Sequence, residues 1–412
     1  MVNASRRARG AAVTHSRPAI SAEKTALVLS GGGARAAYQV GVLQGLVKLR
    51  RERLGDGAPN PFGILCGTSA GAINAAALAC RADSFDAGVE TIAAVWRNFR
   101  ADQVYRTDAL GIARSGAQWL SAISVGWMLA RWRKEGPRSL LDNEPLAELL
   151  RHWAPLELLP RMLAERHLHA LALGASSYTS GEHLTFFEAT GDMTGYERSQ
   201  RLAVPMRLGL EHLLASAAIP FVFPAQRIEH AEHAGWYGDG SMRQTSPISP
   251  AIHLGAQRML IVGVGRLHEP RGRIVRDGGY PTLAQVGGHV LSNVFLDSLA
   301  VDIERMERVN RTLEMMTLGQ RLATSLRSVK ALVIAPSERI DDIAARHQKH
   351  LPRTVRALLR GVGSSSASSD LSGSALASYL LFEAPFTQEV MALGERDTLA
   401  QRQAVCDFFG WL

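Results

Sequence analysis

The sequence predicts an α/β protein: a mostly parallel central sheet with helices on both faces, followed by a helical C-terminal extension. Three observations carry this. Six short apolar runs read as strands, and most are continuously apolar rather than alternating: "TALVLS" (25–30), "FGILCG" (62–67), "HALALGASS" (169–177), "HLTFFEA" (183–189), "RMLIVGVG" (258–265) and "KALVIAP" (330–336). Most read as strands covered on both faces, as in parallel sheets. The first two alternate with helical stretches in βαβα order. A glycine-rich turn sits at both of those strand–helix junctions, "SGGGARA" and "GTSAG".

Taken in order, residues 1–24 form a basic tail, with Arg6, Arg7, Arg9, Arg17 and Lys24 against Glu23 alone. It reads as a solvated, disordered end, although anionic lipid would also attract it. It has no apolar core of a secretory signal; its Arg- and Ala-rich, acid-poor composition is compatible with an organellar targeting peptide. After the first strand, "ARAAYQVGVLQGLVKLRRE" is helical in pattern, and so is "SAGAINAAALACRA" after the second. Residues 89–165 look helical, with "SLLDNEPLAELLRHW" supplying a capped start and an early Pro. Within 294–328, Leu299, Ile303, Met306, Val309 and Leu313 share one helix face. "GVGSSSASSDLSGS" (361–374) reads as a Gly/Ser linker, and the remainder is helical. The expected division is an α/β region over 25–265 and a mostly helical region over 266–412.

Composition narrows the function. The 412 residues are 46% apolar, ordinary for a globular chain. Half of the +8 net charge lies in the tail, and no basic segment is interleaved with stacking aromatics, so a nucleic-acid partner is not expected. Cys66, Cys80 and Cys406 have no metal-type spacing and fit a reducing, cytoplasmic setting. No run is long and apolar enough to span a bilayer. The nearest, "WLSAISVGWMLARW", places Trp119, Trp127 and Trp132 in about 14 residues. It suits either an interfacial, peripheral membrane segment or a buried core helix.

"GTSAG", Gly67-Thr68-Ser69-Ala70-Gly71, is G-x-S-x-G between an apolar strand and a small-residue helix. That context is what a nucleophile elbow needs. The turn lifts the Ser69 hydroxyl clear of the backbone, and the helix start aims unpaired N–H groups at the reaction centre. A serine needs a base. "YGDGS" offers Asp239 between Gly238 and Gly240, an arrangement that by itself is also ordinary turn chemistry.

Together these blocks resemble the patatin-like phospholipases, a lipid acyl hydrolase family. The blocks are "SGGGARAAYQVGVL", "GTSAG", and "YGDGS" with "SPISPAIHLGA" after it; "SLLDNEPLAELL" and "LLASAAIPFVFP" also look like family segments. Order and spacing match over roughly residues 25–265. The resemblance implies a Ser–Asp dyad with Ser69 as nucleophile and Asp239 as general base. It implies an oxyanion hole from Gly31, Gly32 and Gly33, with Arg35 beside them, and no metal or other cofactor. The implied substrate is a phospholipid or other acyl lipid. Departures are Asp239-Gly240-Ser241 in place of Asp-Gly-Gly/Ala, Ala36 where many members have Gly, and Ser30 where many have Asp.

Three other readings stand beside it. Gly31-x-Gly33-x-x-Ala36 fits a dinucleotide fingerprint, but the second strand ends "LCGTSAG" without the acid that binds ribose. A Ser-His-Asp esterase would need one of the histidines, with His183, His212 and His289 as candidates by residue type only. A non-catalytic membrane scaffold would not need Ser69, Asp239 and the glycine loop together. "ERHLHA" and "EHAEHAG" give no complete metal ligand set, and Glu229, His230, Glu232 and His233 read as a solvated loop. Lipid head group, acyl position and oligomeric state are not encoded legibly.

Overall fold

A computed structural model describes residues 24–106, 139–266, 286, 289–290, 298–361 and 371–411. The basic tail (residues 1–23) and the Trp119–Trp132 segment lie outside the described residues.

All six expected strands form: β1 (Thr25–Leu29), β2 (Ile64–Thr68), β3 (Ala170–Ser177), β4 (His183–Ala189), β9 (Arg258–Val262) and β10 (Lys330–Ile334). Four further strands lie outside the six expected runs: β5 (Tyr196–Arg198), β6 (Arg201–Pro205), β7 (Gln226–Ile228) and β8 (Gly235–Asp239). The sheet runs β10-β9-β1-β2-β3-β4-β6-β5, with β8 paired to β3 and β7. The five strands from β10 to β3 are mutually parallel. β4 and β8 run antiparallel to β3.

The helices that build or cover the site are α1 (Ala37–Leu54), α2 (Ala70–Ala79), α3 (Phe85–Arg97), α4 (Glu144–Trp153), α5 (Leu210–Ser216), α6 (Ser249–His253), α7 (Ser298–Met315), α8 (Ile340–His347), α9 (Leu371–Leu380) and α10 (Ala384–Ala400). They explain why the strands lack alternation. Leu27, Leu29, Leu65, Leu171 and Leu173 face one core, shared with α1, α2, α3 and α10. Ala26, Val28, Ile64, Cys66, Ala172, Met259 and Ile261 face a second core. That second core is closed by Ala251 of α6 and by Leu299, Ile303 and Met306 of α7. Cover on both faces is why the central strands β1, β2, β3 and β9 are largely apolar rather than alternating.

Residues beyond 265 pack directly on the earlier part of the chain. β10 extends the same sheet, and α10 lies along α1 so closely that a Cβ on Gly41 would come within 1.8 Å of the Met391 carbonyl. The Tyr38 hydroxyl of α1 donates to Asp397 of α10 at 2.9 Å. Within the Gly/Ser-rich stretch 361–374, Gly361 ends a helix and residues 371–374 belong to α9. Small polar residues lower helix propensity but do not forbid a helix that packs on a core.

Register places the site. The glycine loop follows β1, Ser69 follows β2, and Asp239 at the end of β8 pairs with Ala175 of β3. The first two lie at the carboxyl ends of adjacent parallel strands, where α/β sheets present their crevices, and the antiparallel β8 brings Asp239 to them across β3. Among the described residues no helix is long and apolar enough to cross a membrane.

Candidate active site

Ser69 occupies the elbow between β2 and α2 with φ 56° and ψ −129°, a backbone conformation costly for any residue with a Cβ. Close packing imposes it. A Cβ on Gly71 would stand 2.4 Å from the Leu29 carbonyl oxygen and 2.5 Å from that of Ser30. The start of α2 is therefore pressed onto the end of β1, with Gly67, Thr68 and Ala70 completing the turn. Thr68 accepts a hydrogen bond from Gln244 at 2.7 Å. The Ser69 N–H donates to Ser216 Oγ at 2.9 Å, and Ser216 Oγ donates to the Gly174 carbonyl at 2.6 Å. α5 thereby ties the elbow to β3.

The Ser69 hydroxyl donates to Asp239 Oδ2 at 2.5 Å. Asp239 Oδ1 accepts the Ser241 N–H at 2.9 Å, and the Asp239 N–H donates to the Ala218 carbonyl at 2.9 Å. Gly240 allows the turn to run against β3, since a Cβ there would meet the Gly174 carbonyl at 2.3 Å. Asp239 is fully buried, and burial pushes its carboxyl up to about 6, against the opposing pull of the Ser69 and Ser241 bonds. At neutral pH it is ionised yet basic enough to take a proton.

His183 and His212 do not join this pair. His183 is buried behind the Asp239 turn, with Nδ1 3.2 Å from the Gly240 carbonyl, and burial pushes it down to about 4. His212 Nδ1 accepts the Gly209 N–H at 3.0 Å. His289 is exposed. The cysteines are free and buried, and burial pushes the Cys66 and Cys80 thiols up to about 12, which keeps them from competing as nucleophiles.

The glycine loop faces the elbow, with Gly33 and Ser69 lining one cavity. The N–H groups of Gly31 and Gly32 donate to no partner among the described residues, which leaves them free for an anion. Gly33 has φ 54°, and its Cβ position is filled by the Tyr379 carbonyl at 2.3 Å. Behind the loop runs a buried relay: Gln39 donates to the Ser30 carbonyl at 2.7 Å, Asn74 to Gln39 at 2.9 Å, and the Trp96 indole to Asn74 at 2.9 Å. Arg35, next to the glycines in sequence, binds Ser378 and Asp341 in the C-terminal helices through its guanidinium.

The cavity wall is Trp96, Phe99, Trp153, Ile219, Phe223 and Phe382, almost wholly apolar. Its free volume, about 30 Å³, is enough for a water-sized guest and too small for an acyl chain without movement of the walls.

A family model described as Patatin-like phospholipase matches residues 27–252. The chain belongs to this family. The patatin-like match spans all of the elbow, the glycine loop and the Asp239 turn, and makes the chain a lipid-hydrolysing esterase by family. No curated protein matches. Solved structures that resemble this patatin-like chain include VipD from Legionella pneumophila, 13% identical, covering 90% of this chain and 67% of VipD at a TM-score of 0.29. Type III effector ExoU is 16% identical over 94% of this chain and 88% of its own, at 0.27. ExoU bound to SpcU, from Pseudomonas aeruginosa, is 15% identical over 90% and 70%, at 0.27.

Several residues around the site are not singled out by the sequence. Gln39 and Ser216 fall inside segments quoted for the family resemblance without being marked there as functional, and Asn74, Trp96 and Phe382 belong to no motif. Only the run of small residues around Ser216 and the spacing of Gln39 from the glycines hint at a tightly packed loop.

Proposed function

We propose that this chain hydrolyses carboxylic ester bonds of phospholipids or related acyl lipids through an acyl-enzyme on Ser69. The observation that carries it is the 2.5 Å hydrogen bond from Ser69 Oγ to a buried Asp239 whose carboxyl is raised to about 6.

Ser69 Oγ attacks the ester carbonyl carbon as its proton passes to Asp239 Oδ2. The carbonyl oxygen takes the negative charge and is held by N–H groups of Gly31, Gly32 and Gly33, each such donor being worth on the order of 3 kcal/mol in the transition state. The tetrahedral species collapses, and Asp239 returns the proton to the leaving alcohol. Water then gives its proton to Asp239, attacks the acyl-Ser69 carbonyl and releases the acid, restoring the Ser69 hydroxyl. The apolar wall of Trp96, Phe99, Trp153 and Phe382 suits an acyl chain beside the nucleophile. No metal or cofactor is needed for any of these steps.

Substrate would be met at a lipid surface. The Trp119, Trp127 and Trp132 segment carries the composition of a peripheral interfacial contact, and three free cysteines fit a reducing cytoplasm. Serine at all three tryptophan positions should weaken co-sedimentation with phosphatidylcholine/phosphatidylglycerol vesicles; unchanged binding would remove this contact.

The test of the activity is a phospholipid and lysophospholipid panel run on the wild type, Ser69→Ala and Asp239→Asn. The wild type should release fatty acid while both variants lose at least ~10³-fold in kcat. Full activity in Ser69→Ala would end the proposal.

A further inference from the structure

The glycine loop is fastened from behind by residues that lie after the family match. Arg35 sits in the short 3-10 turn Gly33–Ala36, immediately beyond the glycines, and is buried. Its Nε donates to Ser378 Oγ at 2.7 Å; its Nη2 donates to Asp341 and to the Ala375 carbonyl at 3.3 Å. The Ser378 hydroxyl also lies 3.2 Å from Asp341 Oδ1, which closes a three-membered cluster. The Arg35 guanidinium carbon stands 4.0 Å over the Tyr379 ring, and the Tyr379 carbonyl fills the space where Gly33 would carry a Cβ. One end of α8 and the last turns of α9 thus grip the loop at two successive places.

A buried guanidinium stays where its anionic partner holds it. Arg35 shares its turn with Gly33, so the place of Asp341 sets the place of the loop backbone. Oxyanion donors act only when aimed at the developing charge, and a displacement near 1 Å costs on the order of 10²-fold in rate. We infer that Asp341 is a positioning residue that, through Arg35, sets the oxyanion-binding backbone. The inference rests on the reading of Ser69 as nucleophile and the glycine loop as oxyanion hole. It also gives the region after residue 252 a part in catalysis.

The test uses the full chain with p-nitrophenyl butyrate. The fraction of competent Ser69 is counted by fluorophosphonate labelling carried to completion, so that loss of folded enzyme is divided out. Asp341→Asn should lower kcat per labelled site by ~10–100-fold with KM within about twofold, and Ser378→Ala should lower it by ~2–10-fold. Arg35→Lys combined with Asp341→Asn should be no slower than the slower single variant, because both break one linkage. Wild-type kcat per labelled site in Asp341→Asn overturns the inference, as does multiplication of losses in the double variant. If Asp341→Asn yields no folded protein, Ser378→Ala decides: an unchanged kcat per site sinks the idea. Turnover that survives in Ser69→Ala would instead strike the functional reading itself.

Discussion

Asp239 meets Ser69 with one carboxylate oxygen, at 2.5 Å from the hydroxyl, and the backbone N–H of Ser241 with the other, at 2.9 Å. Among the described residues nothing else charged shares the pair's hydrogen bonds, so the pH response of the site should be that of one buried carboxyl. Burial places its midpoint at about 6. The base works ionised, so kcat/KM on a soluble ester should fall about tenfold per pH unit below 6 and stay level from 7 to 8. A profile flat down to pH 5 would remove Asp239 as base.

The same carboxyl should cost stability. Its folded-state value lies above its ordinary 3.8, so the native state favours the protonated form. Stability from this group is fully present below about pH 4 and is lost as pH rises through 6. The penalty at pH 7 is roughly 3 kcal/mol. Asp239→Asn should therefore unfold at higher urea than the wild type at pH 7 while being inactive, with the gap closing at pH 4. A less stable Asp239→Asn at pH 7 would mean that the carboxylate holds the turn together.

The elbow stores a second cost. Ser69 holds φ 56° and ψ −129° only because α2 is pressed onto the end of β1. Glycine adopts that conformation freely. Ser69→Gly should be more stable than Ser69→Ala by about 1–2 kcal/mol in chemical denaturation, although both lack the nucleophile. Equal stability would mean that the backbone is relaxed there.

Phe382 lies in the cavity wall beside Ser69, and in the native state that cavity has only about 30 Å³ free. Phe382→Leu should widen it at a cost of roughly 1 kcal/mol. The ratio of kcat/KM for long-chain over short-chain p-nitrophenyl esters should rise several-fold. An unaltered ratio would place the acyl chain elsewhere.

The reach of sequence reading follows the range of the forces involved. β1, β2, β3 and β9 were legible because burial makes their runs largely apolar, and β4 and β10 because each still carries a short apolar run. β5 to β8 were not. They are short and partly exposed, and "GWYGD" reads as a turn because its strand character comes from pairing with β3 and β7. Ser69, Asp239 and the glycine loop were legible because steric demands at tight turns force glycine at fixed offsets. The role of Arg35 was not legible: Ser378 lies 343 residues away in sequence, and only the packing of α8 and α9 onto the sheet brings it within 2.7 Å. The same holds for Ser216, the last residue of α5, whose importance appears only when its hydroxyl meets the Ser69 N–H.

The central claim is that Ser69 is the nucleophile and Asp239 its base. It is tested most directly by peptide mapping of the chain after reaction with a fluorophosphonate, with the labelling rate followed from pH 5 to 8. The account predicts a single adduct on Ser69, formed at a rate that rises through a midpoint near 6 in the wild type and is slow at every pH in Asp239→Asn. An adduct on another residue, or Asp239→Asn labelling at the wild-type rate, would contradict it.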